Sequence, residues 1–289
     1  MPNILFALLS TLCFGLPASA QITSLTPPLP PEAQATLDEA RSVAKDALEV
    51  YNTYHPDQPL FRQAIRLGKE AVRLAPENPE TLRFLAELYG VTDFYGPAFS
   101  AWQQFVQAGG TLDTNAAEQF ARNGNAFGYA RYSSGDLEGA LAAYRSVAAQ
   151  VPGNARAQRW SGRILLEQDK PRAALPYWQR VKRLEPNDAG VDSFVSLARA
   201  GTQYGMTAAR AFYSGVTAFE AGQKEDARRH FAGAVRLNPD YVAAWGYLGR
   251  VNFEAGRFVR AETAYARAHE LEPQNETFSY FLRQAEAKQ

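Results

Sequence analysis

A pattern of small, aromatic and proline residues recurs every 34 positions through most of this chain. Gly249 and Tyr265, near the C-terminus, have counterparts 34 positions earlier in Gly215 and Phe231. Four copies of the pattern are clear, a fifth begins at Pro79, and a sixth before it is degenerate. Periods of about 20 to 50 residues are typical of chains that stack one small unit along an axis. The spacing therefore predicts a solenoid rather than a fold around one central core.

The residues that recur are those of one known repeat. Trp245, Gly249, Ala261 and Pro273 stand at the spacing W-x2-L-G, A-x3-F, P. The chain resembles the tetratricopeptide repeat family over roughly residues 33–275, with about six repeats. The resemblance implies an all-α, right-handed solenoid of stacked antiparallel helix pairs. Glycine and alanine would then lie where two helix backbones approach closely, and the aromatic residues would fill the space beside them.

Breaks in the period divide the chain into segments. We expect a signal peptide (1–20), a proline-rich linker (21–32), a block of about four repeats (33–188), an inserted helix (189–207), a block of two repeats (208–275) and a capping helix (276–289). The insertion carries an apolar stripe at helical spacing, which includes Val191, Val195 and Ala198. It forms either a joint near Gly201 to Gly205 or an ordinary packed helix. The capping helix is amphipathic, as the last unit of a soluble solenoid must be.

The first twenty residues are typical of a secretory signal peptide. Residues 4–16 are mostly apolar, and Ala18-Ser19-Ala20 offers a small-residue cleavage site. The apolar run is shorter than the roughly 20 residues that a membrane span needs. No Lys or Arg precedes it, so an uncleaved anchor or a misassigned start is the alternative. We expect an exported protein, periplasmic or secreted, without a membrane span after cleavage.

Composition argues against several functions. Thirty basic and thirty acidic side chains give zero net charge, whereas nucleic-acid binding requires a basic surface. The only cysteine, Cys13, lies in the signal segment, so the exported chain has no thiol. His55, His230 and His269 lie in separate repeats, and no nucleophile or phosphate-loop motif is present. We therefore expect no catalysis, no cofactor and no metal site.

The family resemblance also implies a place for a ligand. Tetratricopeptide arrays bind a peptide or a partner helix in the concave surface formed by the first helix of each repeat. The groove positions of the family correspond here to Asn125, Tyr129, Tyr132, Arg156, Arg159, Arg163, Phe212, Phe219, Arg250 and Phe253. Arginine and aromatic residues dominate this set.

Three of these arginines share one predicted helix face. Arg156, Arg159 and Arg163 are spaced i, i+3 and i+7, so their charges repel unless an anion lies opposite. Guanidinium groups bind carboxylates in a two-pronged fashion, and Asn125 would add a hydrogen bond. This favours a site for an acidic segment or a free C-terminus. The alternative is a solvated face that Glu167 partly neutralises.

An aromatic stripe marks the second block. Phe212, Val216 and Phe219 are spaced i, i+4 and i+7. They form either a shelf for an amphipathic ligand or a face covered by the inserted helix, and we favour the covered face because aromatic stripes are more often buried.

Together these patterns favour a monomeric, non-enzymatic scaffold or adaptor in a bacterial cell envelope, which binds a protein or peptide in a groove centred on residues 122–163. Two alternatives are a binding protein for an anionic envelope polymer and a non-catalytic subunit that positions an enzyme.

Overall fold

The structure, a computed structural model, describes residues 28–289, which form fourteen α-helices and no β-strand. The helices are α1 (Pro31–Val50), α2 (Pro59–Leu74), α3 (Pro79–Val91), α4 (Tyr95–Gln107), α5 (Thr114–Ser133), α6 (Leu137–Gln150), α7 (Ala155–Glu167), α8 (Pro171–Leu184), α9 (Ala189–Tyr204), α10 (Met206–Glu220), α11 (Lys224–Leu237), α12 (Val242–Glu254), α13 (Phe258–Leu271) and α14 (Glu276–Glu286). The predicted signal peptide and residues 21–27 of the predicted linker lie outside the described residues.

Twelve of the helices form six antiparallel pairs, and each pair packs on the next one along the chain, except that α9 lies between the α7–α8 and α10–α11 pairs. The pairs are α1–α2, α3–α4, α5–α6, α7–α8, α10–α11 and α12–α13. The helices α9 and α14 stand between or after the pairs as single elements. This arrangement confirms the predicted all-α solenoid of stacked helix pairs. The number of pairs agrees with the predicted six repeats.

The recurring glycines are explained by close approach inside the pairs. In four pairs a glycine of the first helix faces an aromatic ring sixteen residues later in the second helix. These couples are Gly128 with Tyr144, Gly162 with Trp178, Gly215 with Phe231 and Gly249 with Tyr265. A Cβ atom on any of these glycines would come within 2.6 to 3.0 Å of the ring. The recurring glycine and aromatic positions in the sequence therefore correspond to the same glycine-to-ring contact in these four pairs.

The insertion forms one helix, α9, that packs on both sides. Val191 and Val195 join the core of the first block, and Ala200 joins the core of the second. A single residue, Gly205, connects α9 to α10 with a φ of 88° that favours glycine. Arg210 of α10 reaches back to the end of α7, where its Nη2 donates to the carbonyl oxygen of Leu166 at 2.6 Å. The α9 region is therefore a packed insert between the two cores.

The last helix closes the apolar end of the array. Phe278, Phe281 and Leu282 of α14 are half-buried against the end of the solenoid, and Ala285 is fully buried. Gly246 of α12 allows Phe278 to approach, because a Cβ there would lie 2.7 Å from its ring. The C-terminal helix thus covers the α12–α13 pair.

One buried aromatic residue, Tyr144, leads to a test of the packing. Its side chain is fully buried, and its hydroxyl has no hydrogen-bond partner in residues 28–289. Burial raises the pKa of Tyr144 to about 12. Because this is above the usual value of about 10, the residue contributes stability below about pH 10 that is lost as the pH rises towards 12.

We therefore expect Tyr144→Phe to cost little or nothing at neutral pH, since it removes an unpaired buried hydroxyl. Between about pH 10 and pH 12 the variant should lose less stability than the wild type. Urea-unfolding midpoints across this range, followed by circular dichroism, check both points. An equal alkaline decline in the two proteins would contradict the assignment.

Candidate functional site

A cleft of about 1040 Å³ lies between α5 and the start of α7. Side chains of α5 form one wall, and the loop before α7 forms the other. The residues that carry polar or aromatic groups into it are Tyr95, Thr114, Glu118, Arg122, Asn125, Tyr129, Asn154 and Arg156. Three of the predicted groove residues, Asn125, Tyr129 and Arg156, thus meet in one cleft.

Helix caps position both walls of the cleft. The Asp113 side chain accepts from the backbone N–H of Ala116 at 2.8 Å and fixes the start of α5. Arg83 also donates to this carboxylate at 2.6 Å. These two bonds hold the pKa of Asp113 below its usual value. Asn154 caps α7 in the same way, through the N–H of Ala157.

The orientation of the Asn125 amide follows from that second cap. Because Asn154 Oδ1 already accepts from Ala157, it can only accept from Asn125, whose Nδ2 lies 3.2 Å away. The Asn125 oxygen therefore points elsewhere, and within the described chain it has no hydrogen-bond partner. Asn125 is 6% exposed, so its amide is held by the wall of the cleft. Asn125 therefore has only one N–H group left to donate to the carboxylate of a ligand, because Asn154 accepts from the other.

The charges in the cleft are of both signs. Arg156 is exposed at the end of the cleft and has no ion pair among residues 28–289. Arg122 is partly neutralised, because its Nη2 donates to the carbonyl oxygen of Gly90 and lies 3.2 Å from the Asp93 carboxylate. Glu118, one turn before Arg122, is exposed. A ligand that matches the cleft has an acidic group near Arg156 and a donor near Glu118.

Aromatic rings extend the wall of the cleft towards the middle of α7. Tyr129 is half-exposed, and its ring centroid lies 5.9 Å from that of Trp160. Tyr132 packs on the same indole at 4.7 Å, and the Arg163 guanidinium lies 5.1 Å from its centre. Tyr129 is therefore the exposed ring of this group, whereas Tyr132 is half-buried.

Two of the three predicted arginines are already neutralised. Arg159 is bound by the carboxylates of Glu185 and Asp188. This pairing, together with the N–H of Gly190, lowers the pKa of Asp188. The prediction that the three arginines form one free anion-binding face is wrong, because within residues 28–289 Arg156 alone of the three has no ion pair.

The third arginine follows the alternative interpretation from the sequence. Arg163 Nε donates to Glu167 at 2.9 Å, and the Tyr132 hydroxyl donates to the same carboxylate at 3.0 Å. Glu167 thus neutralises Arg163 locally, four residues along one helix. Neither Tyr132 nor Arg163 lines the cleft.

Phe212 is a core residue rather than a groove residue. It is 7% exposed and packs against the rings of Tyr241 and Tyr247, at 4.8 and 5.6 Å, which the next pair supplies. The inserted helix α9 adds Leu197 and Ala200 to the same cluster. The covered face is thus the one observed, and Phe212 is not available to a ligand. Phe219 is half-buried.

The last two predicted residues, Arg250 and Phe253, line a different cavity of about 660 Å³ between α12 and α14. Its walls are largely aromatic and include Phe278 and Phe281. Arg250 is bonded to Glu254 at 3.0 Å and lies over the ring of Phe219. Of the ten predicted groove residues, three therefore line the cleft, two line this second cavity and five line neither.

Sequence reasoning missed five polar or aromatic residues of the cleft, Tyr95, Thr114, Glu118, Arg122 and Asn154. Arg122 and Glu118 lie one and two turns before Asn125, so helical periodicity alone places them on the same face. Tyr95 lies on α4, and its hydroxyl donates to Asp93 at 2.6 Å. No spacing rule connects it to α5. Within residues 28–289 no cluster of His, Cys, Asp and Glu is arranged to hold a metal ion. No described helix combines the length and apolar character of a membrane span.

Comparison with known proteins identifies a repeat family in two parts of the chain. Residues 125–189 and 214–276 match the tetratricopeptide repeat family. The chain is similar to a tetratricopeptide repeat protein from Parabacteroides merdae, with 14% identity, a TM-score of 0.36 and coverage of 87% of this chain and 99% of that one. It is also similar to YrrB, a TPR protein with an unusual peptide-binding site, with 16% identity, a TM-score of 0.31 and coverage of 74% and 96%. For Pseudomonas aeruginosa PilF the values are 14%, 0.30, 89% and 100%. No curated protein matches the chain.

The family match falls on the α5–α8 and α10–α13 pairs, where the glycine-to-ring contacts recur. Its two ranges stop on either side of most of α9, the helix that breaks the period. With their recurring residues, their stacked helix pairs and this match, residues 125–189 and 214–276 of the chain are tetratricopeptide repeats.

Proposed function

We propose that this protein is a non-catalytic scaffold that binds an extended segment of a protein partner in the cleft between α5 and α7. Tetratricopeptide repeat folds serve in general as scaffolds for protein–protein interaction. The observation that carries the proposal is the meeting of Asn125, Tyr129 and Arg156 in one open cleft of about 1040 Å³. An exposed aromatic ring and an unpaired arginine are the side chains most often found at the centres of protein interfaces.

The length of the cleft suits a short extended peptide. Its lining on α5 runs from Thr114 to Ala130, sixteen residues apart, which corresponds to about 24 Å of helix. An extended chain covers this distance in about seven residues. The unpaired Arg156 would bind a carboxylate of such a segment, and Tyr129 would pack on an apolar side chain. Glu118 would repel acidic groups from the other end and so fix the direction of the segment.

We place this scaffold in a bacterial cell envelope, on the basis of the apolar run and the cleavage site in residues 1–20. Under this proposal the mature chain begins at Gln21. Mass spectrometry of the N-terminus of the protein purified from an envelope fraction tests it. An intact Met1 in a cytoplasmic fraction would contradict it.

Charge reversal at Arg156 is the direct test of the cleft. Arg156→Glu should weaken partner binding about tenfold or more, because a charged hydrogen bond is replaced by repulsion. The matched control is Arg145→Glu on α6, an exposed arginine that also has no ion pair among the described residues and lies outside the cleft. A photocrosslinking residue at Tyr129 would capture the partner in native cells, and mass spectrometry would identify it.

Capture that is lost with Arg156→Glu and kept with Arg145→Glu would support the proposal. If the two variants capture the same partner to the same extent as the wild type, the cleft is not the binding site. Capture of a polymer rather than a protein by the Tyr129 probe would also overturn it.

A further inference from the structure

The helix α8 stands out by its charge. Of the fourteen helices described in residues 28–289, it is the only one whose charged side chains are all basic. They are Arg172, Arg180, Lys182 and Arg183. The chain as a whole has zero net charge, so this helix is a local excess of positive charge.

Among the described residues, three of these four side chains have no partner. Lys182 is bound by Asp192 at 2.8 Å and by the carbonyl oxygen of Pro186 at 3.1 Å. Arg172, Arg180 and Arg183 have no ion pair or hydrogen bond from their side chains within the described chain, and Arg172 and Arg183 are exposed. Positions 172, 180 and 183 fall within an arc of about 80° on one side of the helix, because eight and eleven residues correspond to about 2.2 and 3.1 turns.

The buried side of α8 is the opposite one. Ala174, Trp178 and Val181 are its buried residues, and they pack into the core of the first block. The three arginines therefore face outwards. We refer to Arg172, Arg180 and Arg183 as the basic stripe.

Helix electrostatics accounts for only part of this stripe. A cation in the last turn is favoured by the helix dipole, which explains Arg183. Arg172, however, lies in the first turn, where the dipole opposes a cation, and no acidic residue accompanies it there. Arg180 and Arg183 also repel each other at a spacing of i, i+3.

In α11, the second helix of the next pair, arginines are neutralised by carboxylates of the same helix. In α11, Arg228 is paired with Glu225 at 3.0 Å, and Arg229 is paired with Asp226, each three residues earlier. Comparable partners are missing from α8, which has no carboxylate of its own. Within the described chain no carboxylate neutralises the basic stripe, so an acidic group of another molecule could pair with it.

We propose that the basic stripe of α8 binds an acidic segment of a second protein partner. Arginine binds carboxylates through paired, charge-assisted hydrogen bonds, which suits such a segment. Arg172 and Arg183 are separated by about 16 Å along the helix, which is the length of about five extended residues. The stripe lies on the second helix of its pair, whereas the cleft is built on the first helices α5 and α7. The stripe and the cleft are therefore separate surfaces.

A protein segment fits this surface better than a lipid membrane does. Helices that lie on membranes place large apolar side chains between their basic residues. Pro176 and Gln179 stand between the arginines here, and Leu184 is the one large apolar residue of α8 that is markedly exposed, at 38%. The surface offers charge without an inserting group.

The test compares two triple variants of the full chain that remove the same charge. One is Arg172→Gln/Arg180→Gln/Arg183→Gln. The other is Arg73→Gln/Arg229→Gln/Arg267→Gln, whose arginines are paired with Glu70, Asp226 and Glu270. The probe is a fluorescent octaglutamate peptide, whose binding is followed by anisotropy after circular dichroism has shown that both variants are folded.

We expect the control to bind the probe as the wild type does. The stripe variant should bind it with an affinity lower by about tenfold or more, since three charged contacts are lost. Added salt should weaken wild-type binding, because the contacts are exposed. Equal weakening of both variants would overturn the proposal in favour of net charge alone. Absence of wild-type binding would also overturn it.

Two further arms separate this proposal from its neighbours. If Arg156→Glu abolishes probe binding and the stripe variant does not, the acidic probe occupies the cleft. This result contradicts binding by the basic stripe and is consistent with the proposed function of the cleft. Vesicles of phosphatidylcholine and phosphatidylglycerol test the lipid alternative. If they bind through the stripe while octaglutamate does not, the partner is a membrane surface and the proposal is wrong.

Discussion

Replacing Phe231 by alanine should lower the free energy of unfolding by about 3–5 kcal/mol, the usual cost of removing a fully buried phenylalanine. Phe231 has no exposed surface, and its ring contacts those of Phe212 and Tyr247 at centroid distances of 5.8 and 5.1 Å. It fills the space left by Gly215. Because each pair of a solenoid is stabilised by its neighbours, the loss should weaken α10 to α13 together.

The measurement is urea unfolding followed by circular dichroism, with hydrogen exchange to locate the affected helices. Leu237→Ala is the matched control in the same helix, since Leu237 is half-exposed and should cost less than about 1 kcal/mol. If Phe231→Ala costs no more than this control, the ring does not carry the packing assigned to it.

Gly124→Ala should be the second large effect, with a cost of about 1–3 kcal/mol or more from overpacking. A Cβ at this position would meet the Val147 side chain and lie 2.6 Å from Phe99 Cε2. Alanine normally favours a helix over glycine by about 1 kcal/mol, so the expected sign is opposite to the intrinsic preference. Thermal unfolding of the variant measures the balance.

The control is Gly233→Ala in α11, where a Cβ would meet no atom within 4 Å. This variant should gain up to about 1 kcal/mol, because only the helix preference changes. A second check is Val147→Ala in the Gly124→Ala background, which should recover part of the loss if the two side chains compete for one space. A stabilising Gly124→Ala would contradict the close packing of α5, α6 and α4.

Much of the fold was predictable because its contacts are local in sequence. Gly249 and Tyr265 are sixteen residues apart and touch across one pair, so the same two residue types must recur wherever the pair is repeated. The apolar stripe of residues 191–198 likewise predicted α9, since one helix face must be buried. What local spacing could not give is how α9 packs, because its neighbours α8 and α10 belong to two different cores.

The candidate site was predictable only in part, since it depends on side-chain partners from other pairs. Asn125 and Tyr129 lie one turn apart, so the groove pattern selects both. The partners of Arg159, however, are Glu185 and Asp188, 26 and 29 residues further along, and no helical period connects them. Phe212 is likewise covered by Tyr241 and Tyr247, which come from the next pair and are not connected to it by a helical period. A pattern locates a position on a face but not the neighbour that occupies the space in front of it.

The packing of α9 has a mechanical consequence for the whole array. Because Val191 and Val195 belong to one core and Ala200 to the other, separating the two blocks exposes apolar surface on both sides of this helix. The bond from Arg210 to the Leu166 carbonyl oxygen must break as well. The end helix α1 packs mainly against α2, and the end helix α14 packs mainly against α13. Under a pulling force applied to its two ends, the array should yield at its tips before it yields at its middle.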